Sequence, residues 1–255
     1  MSKETIHWSG YEWLTQERFG EIHPKKRFNW YDSSAIEIRD GKLVLKTQYN
    51  PKTFTIDGEE FVSPIGIGLV SNTTRFKYGY FEIEAKLPTG KNLWPAFWMW
   101  GFDSWPPEID VFEAYSSPIF KTYLSINFPK IFNFWKIETN FYYNTPDNPK
   151  NTGSVKKFLG FKNPQKNFIK YACLWEENKI TIFYDGRKIR EFTDEQILSQ
   201  FNNIDMNVII NTSMRDGRRI SKEENSEFII NYFNYSTLEE YYSKNKLSKN
   251  TNSII

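Results

Sequence analysis

Cysteine and histidine are nearly missing from this chain. Its 255 residues hold one cysteine, Cys173, and two histidines, His7 and His23. A lone thiol excludes an intrachain disulfide and a thiolate metal cluster. Two imidazoles leave little room for a His-rich metal centre or a Ser-His-Asp triad. No apolar run approaches the roughly 18 residues of a membrane span. Neither sign of charge prevails: 33 Lys+Arg meet 31 Asp+Glu, net +2, so no long-range field draws the chain to nucleic acid or to a membrane. The opening residues, MSKETIHWSGYEW, lack the basic head, apolar middle and small-residue cleavage site of a secretory leader. Localisation therefore stays open, with extracellular action expected if a leader precedes this segment. Helix signals are just as scarce. The one fair stretch is Thr193–Phe201, with Thr193 as its cap and acids in the first turn.

What the chain has in quantity is aromatic rings: 22 Phe, 15 Tyr and 9 Trp, 18% of all residues. Such rings fill a thick β core, and they also stack on the apolar faces of sugars. A hydrophobic content of 39% with 25% charged residues excludes a disordered chain. Strand signals dominate. In Ala35–Thr47 two alternating runs flank Asp40-Gly41, and Tyr171–Phe192 repeats the pattern around Asp185-Gly186. Tyr78–Pro88 sets Phe81, Ile83, Ala85 and Leu87 on one face, with Glu82, Glu84 and Lys86 on the other. Further strands are expected over Leu93–Trp100, Glu108–Tyr115, Thr122–Asn127, Glu138–Tyr143, Met206–Thr212 and Phe228–Tyr235. Asn144–Gly153 and Arg215–Glu224 read as polar loops. The pattern predicts an all-β, two-sheet sandwich or jelly roll as one domain over residues 1–235, with 236–255 as a loose C-terminal tail.

The chemistry concentrates in Trp94–Tyr115, WPAFWMWGFDSWPPEIDVFEAY. On a regular strand Glu108 and Asp110 share a face and Glu113 points the other way. One bulge residue brings Glu113 back beside them, and leaves Ile109 and one of Val111 or Phe112 facing the core. Three like charges in a row push at least one pKa upward. An edge strand with solvated acids gains nothing from that, and rarely sits beside Trp94, Trp98, Trp100 and Trp105. Glycosidic cleavage does gain, because it needs one ionised and one protonated carboxyl.

Here the sequence resembles glycoside hydrolase family 16, the group of laminarinases, lichenases, agarases, carrageenases and porphyranases. GLVS (68–71), RFKYGYFEIEAKLP (75–88), WPAFW (94–98), EIDVFE (108–113), YACLWEENKITIFYDGRKIR (171–190) and Phe228–Tyr235 follow that family's order of blocks. EIDVFE is similar to the bulged form of its signature. The resemblance implies a jelly roll with a concave cleft, and retaining endo-hydrolysis of a β-linked polysaccharide. It makes Glu108 the nucleophile, Glu113 the general acid/base and Asp110 the supporting carboxylate. It also implies sugar subsites floored by Trp94, Trp98 and Trp105, with core packing as the alternative reading of each ring. The His that many laminarinases carry on the following strand is missing. Asn127, Asn140 and Tyr142 are the candidates to replace it, and its absence tilts the substrate toward a β-galactan over a β-1,3-glucan. Arg215, in a run with Arg218 and Arg219, suits a sulfated or carboxylated glycan or a solvated loop. Where the family's last strand usually offers an Asp to a structural calcium, this chain has Asn231, so no metal or cofactor is expected. The partner is a polysaccharide and the chain is expected to act as a monomer. A lectin-like glycan binder and a transglycosylase on the same scaffold are the alternatives.

Overall fold

A computed structural model describes residues 4–90, 92–114, 136–153, 155–158, 162–214 and 226–251. In chain order its strands begin with β1 (Thr5–Trp8), β2 (Tyr11–Leu14), β3 (Asn29–Tyr31), β4 (Ile36–Arg39), β5 (Lys42–Ile56) and β6 (Glu59–Ile67). Then come β7 (Leu69–Asn72), β8 (Gly79–Lys86), β9 (Ala96–Gly101), β10 (Glu108–Ala114), β11 (Lys136–Thr145) and β12 (Asn148–Asn151). The last six are β13 (Val155–Phe158), β14 (Ile169–Glu176), β15 (Lys179–Tyr184), β16 (Arg187–Phe192), β17 (Met206–Asn211) and β18 (Ser226–Ser236). Two α-helices, α1 (Glu195–Leu198) and α2 (Leu238–Thr251), and a 3-10 turn at Ser33–Ala35 complete the described elements.

Among the described residues the strands form two sheets. One runs β1-β2-β7-β17-β9-β10-β11-β12, with β13 also on β11. The other runs β16-β15-β14-β8-β18-β5-β6-β3, with β4 also on β5. The sheets face each other as a sandwich, consistent with the jelly roll expected from the sequence. The alternation read in β8 decides its packing: Phe81, Ile83 and Ala85 are fully buried, while Glu82, Glu84 and Lys86 face outward. These side chains meet Phe97, Met99, Ile109 and Phe112 of the other sheet in one apolar core. Cys173, on β14, lies in that core with no exposed surface.

The two Asp-Gly hairpins form where the sequence puts them, with φ of 52° and 76° at Asp40-Gly41 and 49° and 75° at Asp185-Gly186. A third, Asp57-Gly58, joins β5 to β6. β5 runs on through Asn50-Pro51, beyond the Thr47 end of the expected hairpin. The ladder absorbs the proline by shifting register between Tyr49 and Lys52, since a residue without an N–H is tolerated at a bulge. The polar stretch 144–153 is likewise a hairpin, Tyr142 to Thr145 pairing with Asn151 to Asn148.

Two helical readings change. Asp194, not Thr193, caps α1, its side chain accepting from the Ile197 N–H at 3.1 Å. The tail expected to be loose starts as α2, with Tyr241 stacked 4.7 Å from Tyr80 and Tyr242 bonded to Glu176. Asn231 donates to Glu84 Oε2 at 2.6 Å, so its side chain serves the outer face of the sheet. The strand expected over Thr122–Asn127 and the loop Arg215–Glu224 lie outside the described residues.

Candidate active site

β10 carries the irregularity that the chemistry requires. Against β9 the register jumps between Asp110 (opposite Trp98) and Phe112 (opposite Phe97). Against β11 it jumps between Asp110 (opposite Asn140) and Glu113 (opposite Glu138). Val111 is the extra residue. Both Val111 and Phe112 are fully buried in the core with Ile109, where the sequence assigned only one of them to that side. Glu108, Asp110 and Glu113 are left together on the opposite face, lining one cleft of about 120 Å³.

The tryptophans reach these acids with their N–H groups. Trp105 donates to Glu108 Oε2 at 2.7 Å, and Trp94 donates to Glu113 Oε1 at 3.0 Å. Trp98 donates to Asn211 Oδ1 at 2.8 Å. The sequence suggested only their flat faces; the structure gives each a polar tip with a partner. All three are half-buried, and Trp94 and Trp98 line the cleft.

Burial dominates the electrostatics. Asp110, 3% exposed, is pushed well above the usual carboxylate range by burial and by the charges of Glu108 and Glu113. Glu108 is also pushed up, to about 7, by burial and the Glu113 charge, against the opposing pull of the Trp105 N–H, Lys26 and Asp110. Burial and mutual repulsion therefore keep this pair from ionising fully, while the Trp105 N–H and Lys26 favour the charged form of Glu108. Tyr142, opposite Glu108 on β11, is pushed up to about 12 by burial and by the three acids. Asn140 also faces the acids, yet it is 2% exposed, and its oxygen already accepts from the Phe141 N–H and the Thr152 hydroxyl. Asn127 and Arg215 lie outside the described residues.

Sequence reading missed the opposite wall. The β2–β3 connection brings Glu17, His23 and Lys26 to the same cleft, and β3 adds Tyr31. Glu17 is 5% exposed, raised by burial, and its Oε2 has no hydrogen-bond partner. His23 is lowered to about 4 by burial and by Lys26 and Lys25, so it is neutral at ordinary pH. Nothing in the local sequence 15–28 marks these residues; only the sandwich brings them opposite β10.

The family model for glycosyl hydrolases family 16 matches residues 24–234. The chain belongs to that family. Its similarity to individual members is distant. It is 23% identical over 196 residues to the endo-1,3-1,4-beta-glycanase EglC of Rhizobium meliloti, covering 71% of this chain and 37% of that protein. It is 24% identical over 213 residues to beta-1,3-glucan-binding protein 1 of Galleria mellonella, covering 71% and 41%. The chain thus spans well under half the length of either relative. In structure it resembles porphyranase B of Zobellia galactanivorans, with a TM-score of 0.67 at 18% identity over 92% of this chain and 88% of that one. That likeness is one of fold.

Proposed function

We propose that this family 16 member is an endo-acting, retaining hydrolase of a β-linked polysaccharide. The observation that carries the reading is the bulge at Val111, which gathers Glu108, Asp110 and Glu113 in one cleft. In a double displacement Glu108 attacks the anomeric carbon while Glu113 protonates the departing oxygen. Water then enters from the vacated side and gives its proton to Glu113, now a base. Asp110, which keeps its proton, donates to Glu108 and fixes its orientation without adding a second charge to the nucleophile. The Trp105 N–H holds Oε2 of the same carboxylate.

The cleft also bears on the substrate. Glu17 adds a fourth carboxyl to the three on β10, and the facing His23 is neutral, leaving Lys26 as the cation among the described lining residues. A wall with four carboxyls and one cation suits an uncharged sugar better than a sulfated one. This supports an uncharged sugar at that subsite, the chemistry of a β-glucan or of an unsulfated unit in a β-galactan.

The test is release of reducing ends from laminarin, lichenan, agarose, porphyran, carrageenan and mucin glycans. New reducing ends on a neutral β-glycan, with products several sugars long, are expected. Redistribution of chain lengths without new reducing ends identifies a transglycosylase. Binding to one glycan without product on any identifies a glycan-binding protein, the role printed in the name of the Galleria relative.

A further inference from the structure

The bulge that assembles the acids leaves a problem on its other side. Val111 and Phe112 together face one residue of β11, Thr139, so the regular ladder is broken at a point where every side chain is fully buried. Buried carbonyls need partners. Those partners come from the opposite sheet. Tyr184, on β15, donates its hydroxyl across the sandwich to the Val111 carbonyl at 3.1 Å. Arg190, on β16, donates through Nη1 to the carbonyl and the hydroxyl of Thr139, both at 2.8 Å. Its Nη2 donates to the Thr152 hydroxyl at 2.8 Å, which in turn donates to Asn140, the residue opposite Asp110.

From this arrangement we infer that Tyr184 and Arg190 are positioning residues for the reaction, holding the bulge from behind so that Glu113 stays beside Glu108. The inference rests on the catalytic reading proposed above. Neither residue touches substrate, and both act through the backbone of β10 and β11. The alternative conformation is well defined. Regular pairing sends Glu113 toward the core and Phe112 toward the cleft, because side chains alternate strictly along a strand. Even a partial slip lengthens the reach of Glu113 to the glycosidic oxygen, and rate falls steeply with such misplacement.

The sandwich contains a matched control. Tyr171 lies 5.5 Å from the Tyr184 ring, equally buried, 4.3 Å from Phe112, and its hydroxyl has no partner. The experiment compares Tyr184→Phe with Tyr171→Phe, and Arg190→Lys with Arg190→Met, at a temperature well below the Tm of every variant. Tyr184→Phe is expected to lower kcat by about 10–100-fold with KM within about twofold, the pattern of a lost transition-state interaction. Tyr171→Phe is expected to leave kcat unchanged, and Arg190→Lys to keep more activity than Arg190→Met. Because the displaced group is the acid, the Tyr184→Phe deficit should shrink on an aryl glycoside whose leaving group needs no proton. Unchanged kcat in Tyr184→Phe, equal losses in the two tyrosine variants, or equal deficits on both substrates would each overturn the inference. If Tyr184→Phe does not fold, the two arginine variants decide, and equal activity in both counts against it. An inactive wild type overturns the catalytic reading itself, whereas an active wild type with an unimpaired Tyr184→Phe overturns only this step.

Discussion

Two pairs of acids in this molecule share one spacing and live opposite lives. Glu82 and Glu84 on β8, and Glu108 and Asp110 on β10, each stand two residues apart on one face of a central strand. On β8 that face is outward. Glu82 accepts from the hydroxyls of Tyr80 at 2.6 Å and Tyr232 at 2.7 Å, with Lys170 at 3.8 Å, and Glu84 accepts from Asn231. Every donor there is supplied by the sheet itself. On β10 the donors are indole N–H groups and the neighbouring acid, and one Asp110 oxygen has no partner at all. A carboxylate pair at this spacing is therefore no sign of a site. What separates the two is the bulge that adds a third acid, and the burial that makes full ionisation of all three unfavourable.

The largest expected effect breaks the β10 set. Glu113→Ala should lower kcat on a natural polysaccharide by about 10²–10⁴-fold, the range of general acid–base catalysis. Glu108→Ala should lose at least as much. Azide with an activated aryl glycoside separates the two: Glu113→Ala is expected to give the β-azide and Glu108→Ala the α-azide. Reversed products mean that nucleophile and acid have been exchanged.

A smaller effect sharpens the electrostatics. Trp105→Phe removes the donor to Glu108, and a hydrogen bond to a charged group is worth about 1.5–3 kcal/mol. Losing a donor to the ionised form favours protonation, so the Glu108 pKa rises. The acidic limb of kcat/KM against pH should then move to higher pH by about one to two units. A limb that stays in place, or moves down, rejects the assignment of Glu108 as the group that must be ionised.

Next comes the cleft wall. Glu17→Gln takes one carboxyl from the wall and is expected to narrow any preference for neutral over sulfated glycans, in KM and in kcat/KM. No change in either ratio removes Glu17 from the subsite. The smallest effect is the comparison's other half. Glu82→Gln should leave kcat and KM at wild-type values and lower Tm by only about 2–4 °C, since weakening its hydrogen bonds from Tyr80 and Tyr232 costs about 1 kcal/mol. A loss of activity there would tie the outer face to the cleft.

The sequence disclosed the centre of the molecule better than its margins. Alternation in β8, the Asp-Gly hairpins and the bulge in EIDVFE were legible because each follows from local rules: period two, a left-handed turn, and one residue too many between acids. β6 and the far half of β5 were not, since Asn50-Pro51 looks like a terminus unless the register slip is known. Glu17, His23 and Lys26 escaped for a different reason. Their place in the cleft depends on where the β2–β3 connection crosses a sheet whose neighbours come from distant parts of the chain. The same holds for Tyr184 and Arg190, which sit in strands read correctly but look outwardly like any aromatic and any surface cation.

Cys173 provides a clock for the whole fold. Its thiol is sealed inside β14, and burial pushes it up, away from the reactive thiolate. A thiol reagent can label it only when the sandwich opens. With a single cysteine in the chain, the labelling rate reads one event, and its dependence on reagent concentration separates the frequency of opening from its depth. Each variant above thus carries its own gauge of integrity, independent of catalysis and needing no added probe.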